Sequence, residues 1–475
     1  MTLKSFFRLS VFMVFLMMLM SVIAPVIAVE PGSYETYDQS LFVDVEWYRE
    51  NQLTAADLWN GGLDGESGMG AYQADFTGFF HVNLDRRWRQ TPLEFSTSVA
   101  QSRAIYMNVE AYRTAGAENG ERFLKAVNQG VDVLLTQFHD PELGGFYWGV
   151  SPDGEVVDPM KQGYGNVHPI FALAQAYAVT QNPEHLNAAL EQLEVYRTHF
   201  LDPDYACAIH PGFSRDFSEI IGVNNVDTFT HFFEALLALH DVTEGAQRDD
   251  IDAQIVTCGD FLVNFLYHDQ DGFTDRGYVA YNYDENWQPS QIPYTREMQW
   301  SGALQATTGH NIELAYLLSR AVERGFDPEW LITADKLMKF CVEYALHPEY
   351  GGMIYEITDY AGQPLEGNPD NILFIWWAQA ETARAFLHFI VVRGQDEYRE
   401  PFKQVETLFH SKLTDQQYGG LYPALNAMLR LRPAELNKGN IWKVNYHYNM
   451  FFTEVLRLQA EYPDQIAALN AVKVG

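Results

Sequence analysis

The sequence predicts an all-α protein: an (α/α)6 barrel, a toroid of six helical hairpins with short β-hairpins at one mouth. Helical periodicity recurs in about a dozen segments along the chain. A glycine-pair turn recurs between alternate helices. No stretch between the hairpins carries the Gly, Ser and Pro content of an interdomain linker, so one large domain is expected.

In chain order, helical patterns cover 99–116, 122–138, 170–180, 184–199, 230–239, 251–267, 309–324, 330–346, 376–393, 398–409 and 446–462, with a weaker one at 55–63. Between them, Asp140 to Tyr147 (DPELGGFY) is echoed by His347 to Ile354 (HPEYGGMI) and Asp415 to Tyr422 (DQQYGGLY). Weaker copies lie at Gly78 and Gly272, and a degenerate one spans Ala208 to Gly212. Their spacing is a multiple of about 68 residues. Glycine pairs followed by apolar and aromatic residues suit tight turns leading into short strands. Helical repeats of this kind stack into an open solenoid or close into a ring, and six hairpins with strands on one side favour the ring.

The first 28 residues read as a signal peptide: Lys4 and Arg8, an apolar run over 11–23, then Ala24 to Ala28. Export to the periplasm or medium is the corresponding expectation, with 29–45 as a linker and 46–475 as the barrel. No later segment has the length and apolarity of a membrane span. The net charge of −32, from 63 acidic and 31 basic side chains, repels phosphate backbones and excludes nucleic acid as a partner. Cys207, Cys258 and Cys341 form neither a disulfide framework nor a zinc signature, and at most one pair can bridge. Aromatic residues make up 14% of the chain, a richness suited to sugar-stacking clefts and to bulky cores alike.

The residues that could carry chemistry sit near helix starts, which this architecture brings to one mouth. His310 and Glu313 share a face of the first turn of their helix, and His231 and Glu234 repeat that i,i+3 spacing one hairpin earlier. Trp377 and Glu381 lie i,i+4 on the helix opened by Trp376. Arg103 and His447 lie near the starts of the first and last long helices. Taken singly, each has an ordinary structural explanation.

Taken in order, they resemble the N-acylglucosamine 2-epimerase / cellobiose 2-epimerase family. The matching pieces are Gly78-Phe-Phe-His-Val-Asn-Leu-Asp, Gln101-Ser-Arg103, Gly144-Gly-Phe-Tyr-Trp, Lys161-Gln-Gly-Tyr164-Gly, Thr230-His231-Phe-Phe-Glu234-Ala, Gly309-His310-Asn-Ile-Glu313, Trp376-Trp377-Ala-Gln-Ala-Glu381 and Trp442-Lys-Val-Asn-Tyr-His447. The resemblance implies an (α/α)6 barrel and epimerisation or isomerisation of a free reducing sugar at carbon 2, with no metal or other cofactor and a monomeric or homodimeric enzyme. It implies His310 and His447 as the general acid/base pair, Arg103 and His231 at the oxygens of the reacting carbons, and Glu313 orienting His310. Trp376, Trp377, Tyr164 and Glu381 would bind the sugar. The chemistry suits these residue types. Imidazole is matched to proton transfer near neutral pH, a fixed guanidinium stabilises an enediolate, and flat indoles match a pyranose face.

The sequence departs from the family pattern at two places. Asp227-Thr-Phe-Thr-His231 stands where Asn-x-His-Met-His is common, and Tyr448-Asn449-Met450 follows His447 in place of Asn-Gly-Arg, with Asn445 replacing a proline. Two other readings stay open from the residues: a glycoside hydrolase or lyase using Glu313 and Glu381, and a non-catalytic carbohydrate-binding barrel.

Overall fold

The computed structural model describes residues 37–60, 77–290, 306–353, 357–363, 373–426, 428–431 and 436–471. The expected signal peptide, the first part of the linker and the end of the 55–63 pattern lie outside the described residues.

An inner ring is formed by α2 (Ser98–Asn119), α4 (Gly163–Thr180), α6 (Val226–Val242), α8 (Thr308–Glu323), α10 (Trp376–Arg393) and α12 (His447–Glu461). Each packs on the next, and α12 meets both α2 and α1 (Val45–Asn60), which closes the toroid. The outer helices are α3 (Glu121–Val133), α5 (Pro183–Val195), α7 (Gly245–Phe261), α9 (Trp330–Ala345) and α11 (Arg399–Leu408), with α1 completing the circle. A short α13 (Pro463–Ala471), which the periodicity did not reveal, follows α12.

The two rings differ in sequence because they differ in surroundings. Every residue from Ser98 to Ala111 in α2, and from Thr308 to Ser319 in α8, is buried. Such helices cannot show a one-sided apolar stripe. Outer helices bury one face only, as α3 does with Phe123, Ala126, Val127, Gly130 and Val131.

The repeated turns fix how each outer helix hands over to the next inner one. α3, α5, α7 and α11 each run into a π-helical turn (Leu134–Phe138, Tyr196–Phe200, Leu262–Leu266 and Phe409–Leu413). The glycine pairs 144/145, 351/352 and 419/420 then adopt left-handed backbone angles. In all three, the first residue of the turn accepts from the first glycine and donates to the carbonyl of the second, at 2.8–3.0 Å. The degenerate copy keeps part of this pattern. His210 N–H donates to the Phe200 carbonyl at 2.8 Å, as Tyr147 does to Phe138 and Tyr422 to Leu413. That turn is tied to α7 by a disulfide between Cys207 and Cys258, while Cys341 is free and buried.

Short strands precede four of the inner helices: β1 (Ser96–Thr97), β2 (Lys161–Gln162), β3 (Ala306–Thr307) and β4 (Leu373–Ile375). Buried carboxamides in the first turns of α2, α4, α8 and α10 fasten them to the turn segments. Gln101 accepts from Phe80 N and donates to Gly78 O, and Asn166, Asn311 and Gln379 clamp both backbone groups of Phe146, Val279 and Met353. These paired bonds set the position at which each inner helix starts.

Four helices begin four or more residues earlier than periodicity suggested: α1 at Val45, α4 at Gly163, α6 at Val226 and α7 at Gly245. α4 starts at Gly163 because Gln162 caps it, its Oε1 accepting from Gly165 N at 2.7 Å. Pro169 is tolerated inside because Gly165 O, which it cannot serve, accepts from Ser98 Oγ at 2.7 Å. α6 starts at Val226, capped by Asn225 Oδ1 accepting from Thr228 N at 3.2 Å. Residues 37–44 pack on the barrel: Phe42 and Val43 are buried, and Val43 N donates to Asn470 Oδ1 at 2.8 Å.

Candidate active site

The N-termini of the inner helices place their first two turns around one axis, in an upper layer of imidazoles and a lower layer of carboxyl groups. Capping by Asn225 puts Asp227 in the first turn of α6, where the helix dipole favours a carboxylate. His231 follows one turn later. Thr307 occupies the N-cap of α8 yet makes no side-chain cap bond. Its hydroxyl lies 2.8 Å from His310 Nδ1 instead.

His310 Nε2 lies 3.0 Å from Asp227 Oδ1, and His231 Nε2 lies 3.6 Å from the same oxygen. His447 Nδ1 lies 2.8 Å from Glu381 Oε1, and His231 Nδ1 lies 3.0 Å from Glu234 Oε2. Trp377 stands between the two predicted acid/base residues, its ring centroid 4.8 Å from that of His310 and 5.4 Å from that of His447. The His231 and His447 rings are 6.3 Å apart. A Cβ on Gly309 would meet the Trp377 indole at 2.4 Å, so the glycine is what lets the indole cross the start of α8.

Arg103 is buried with its nitrogens engaged. Nε donates to His168 Nε2 and Nη1 to Trp442 O, both at 3.0 Å, and Nη2 donates to the Tyr164 hydroxyl. Tyr164 OH in turn lies 3.4 Å from His231 Nε2. The guanidinium therefore braces the tyrosine and the histidine pair at the wall of the pocket.

In the lower layer, His231, Glu234 and Glu313 form one triad, and Glu313, Glu381 and His447 form a second, each with its polar atoms within 4.8 Å of one another. Both have the spacing of a metal cage. Each imidazole already pairs with its own glutamate, and Arg384 Nη2 supplies positive charge 2.5 Å from Glu381 Oε2 and 3.9 Å from Glu313 Oε1. Tyr446 OH donates to Glu234 Oε2. The layer therefore reads as a proton-sharing carboxyl cluster around one guanidinium. Met450, which replaces the arginine of the family pattern, has its Sδ 2.9 Å from Arg384 Nη1, so α10 supplies a guanidinium beside the departure.

Burial and the neighbouring Glu381 push Glu313 up to about 8, so it is protonated at neutral pH. Burial, with Arg103 and His231 nearby, holds His447 well below the usual imidazole range and keeps it neutral. Burial opposes ionisation of Asp227, yet the His310 imidazole holds it below the ordinary aspartate value.

Three sequence expectations need correcting, for Glu313, Glu381 and Trp376. Glu313 does not orient His310: among the described residues neither of its carboxyl oxygens accepts a hydrogen bond. The i,i+3 step carries it one turn deeper toward the axis, and Asp227 and Thr307 hold the imidazole instead. Glu381 does not face the sugar. It is fully buried behind His447, whose Nδ1 it holds. Trp376 also lies behind His447, its ring 5.5 Å away and buried, whereas Trp377 is half-buried at the pocket. Sequence reading missed Asp227, Thr307, His168, Arg384 and Tyr446. The i,i+4 pairs Asp227/His231 and Tyr164/His168 were available as signals, had α6 and α4 been started at their caps.

The sequence profile of the N-acylglucosamine 2-epimerase (GlcNAc 2-epimerase) family matches residues 78–449. A cellobiose 2-epimerase of Bacteroides fragilis is 23% identical over 394 residues, covering 80% of this chain and 92% of that protein. A D-mannose isomerase of Pseudomonas cannabina pv. alisalensis is 26% identical over 358 residues, covering 72% and 80%. The solved structure of cellobiose 2-epimerase from Bacillus thermoamylovorans superposes with a TM-score of 0.70 at 19% identity, covering 87% of this chain and 98% of that one, and it shares the barrel. With the ordered motifs and the closed ring of helices, these likenesses place the chain in the N-acylglucosamine 2-epimerase family of carbohydrate epimerases and isomerases.

Proposed function

We propose that the protein moves a proton at carbon 2 of an opened reducing sugar, as a 2-epimerase or aldose–ketose isomerase, through a cis-enediolate. The observation that carries this reading is the pair His310 and His447, packed against Trp377 from different helices and each backed by its own carboxyl group, Asp227 and Glu381. Neutral His447 is suited to take the carbon 2 proton as general base. The negative charge then developing on the oxygens at carbons 1 and 2 faces Tyr164 and His231, with Arg103 behind them. Return of a proton from His310 to the opposite face of carbon 2 gives the epimer. Return to carbon 1 gives the ketose.

The rim favours a substrate longer than one ring. Trp442 is 49% exposed and lies tilted against Trp148 at 5.2 Å and Tyr164 at 6.3 Å, which supports a disaccharide such as cellobiose over glucose or mannose alone. A glycosidase would need two carboxyl groups facing the sugar. Glu313 and Glu381 are buried beneath the histidines, which supports proton transfer over hydrolysis. The signal-peptide pattern and the Cys207–Cys258 disulfide together support action outside the reducing cytosol.

Incubation with cellobiose, mannose or glucose in heavy water tests the reading. Deuterium at carbon 2 of the product is expected. Monosaccharide release from a borohydride-reduced oligosaccharide, with no carbon 2 labelling of free sugars, would replace it with hydrolysis.

A further inference from the structure

We propose that Asp227, standing where the family pattern carries asparagine, is the positioning residue that keeps His310 charged and aimed in the resting site. The inference rests on the proton-transfer reading above and adds to it the source of the acid's proton.

The geometry is specific. One oxygen of Asp227 lies 3.0 Å from His310 Nε2 and 3.6 Å from His231 Nε2, while the other nitrogen of His310 lies on the Thr307 hydroxyl at 2.8 Å. An ionised carboxylate only accepts, so the hydrogen of the short contact belongs to the imidazole. An asparagine amide at the same place carries no charge, could offer either a donor or an acceptor, and would leave the protonation of His310 unbiased. With Asp227, a full negative charge at hydrogen-bond distance favours the imidazolium. The other charged or titratable groups around the Asp227–His310 pair are Tyr281 from the segment after α7 and His447 on α12, which act on His310, and His231 on α6, Arg103 on α2 and Tyr164 on α4, which act on Asp227; Glu234, Glu313, Glu381 and Arg384 pair among themselves and with His231 and His447. The Asp227 carboxylate, 3.0 Å from His310 and held in the first turn of α6, separates the two catalytic imidazoles into a charged acid and a neutral base before any sugar arrives.

Asp227→Asn tests this with two independent readouts. The first is the pH dependence of kcat/KM for cellobiose epimerisation. His310 must be protonated to act as acid, so activity falls as pH rises past its titration. Removing the carboxylate should move this alkaline limb down by about one pH unit or more, leaving the acidic limb set by His447 in place. The second is ring 15N NMR of His310, assigned with His310→Gln, which reads the same titration without substrate and should shift down equally. An unmoved His310 titration in Asp227→Asn overturns the proposal, even if the variant is inactive. Failure of the parent protein to label carbon 2 in heavy water would instead overturn the reaction, and the NMR titration would still decide whether Asp227 holds the charge.

Discussion

His447 Nδ1 lies 2.8 Å from Glu381 Oε1, and Arg384 Nη2 lies 2.5 Å from the other oxygen of the same carboxylate. The ring is thereby held by its Nδ1 side, which leaves Nε2 on the opposite side of the imidazole. Replacement of Glu381 by Gln should lower kcat by about 10²-fold, the lower end of what a misplaced general base costs. Burial pushes Glu381 itself up to about 8, so the near-isosteric amide should leave Tm close to that of the parent protein at neutral pH. Steady-state kinetics with thermal melts on one preparation checks both; unchanged kcat would remove Glu381 from the base's support.

The histidines themselves should behave differently. In His447→Ala, Glu381 keeps Arg384; in His310→Ala, Asp227 loses its ion-pair partner, but its side chain is 23% exposed, so water takes over the charge. Each should reduce epimer or ketose formation by at least about 10³-fold with little change in Tm. A variant that turns over normally would not carry the role assigned to that residue.

Glu313 makes a stability prediction with a definite sign. Its folded value of about 8 lies above the ordinary carboxyl value of 4.5, so between those pH values the folded protein holds a proton that the unfolded chain has lost. Stability from this group is therefore present at low pH and declines as pH rises toward 8. In Glu313→Gln that decline is absent. Urea melts of both proteins at pH 5 and pH 8 should show the variant gaining on the parent protein with rising pH, and parallel curves would contradict a neutral Glu313.

Gly309 is predicted to matter for activity through Trp377. A methyl group there would press on the indole at 2.4 Å, forcing the ring off the two imidazoles. Gly309→Ala should therefore lower kcat/KM by about 10-fold or more, the scale set by a displaced positioning group. Tryptophan fluorescence and kinetics measured together check the link.

Trp442 should separate long from short substrates. Loss of an exposed stacking face costs about 1 kcal/mol, so Trp442→Ala should raise KM for cellobiose several-fold with little effect on mannose. Equal effects on both sugars would place the indole against the reacting ring.

Much of this arrangement was legible in the residues. The GG turns at 144, 351 and 419 repeat because each must reverse the chain after an outer helix, and that regularity gave the hairpin count. His310, His447 and Trp377 stood out because inner-helix starts are where a toroid gathers side chains. Partners were harder to read. The family resemblance and the i,i+3 spacing both point to Glu313 as the partner of His310, but a helix turn also has depth, and Asp227 from α6 takes that place. Asp227 was overlooked because the apolar pattern of α6 becomes evident only at Thr230, whereas its cap lies at Asn225. Arg384 and Glu381 pair across one turn of a helix buried on nearly all sides, where apolar periodicity carries no signal. The disulfide between Cys207 and Cys258 joins the turn after α5 to the outer helix of the next hairpin, a proximity set by how neighbouring hairpins pack.

The most direct measurement of the central claim is the fate of carbon 2 in His310→Ala supplied with cellobiose in heavy water. Two imidazoles serving opposite faces of one carbon predict that recovered cellobiose becomes deuterated at carbon 2, because His447 still removes and returns a proton, while no epimer forms. Epimer appearing at the rate of the parent protein would contradict the two-histidine account.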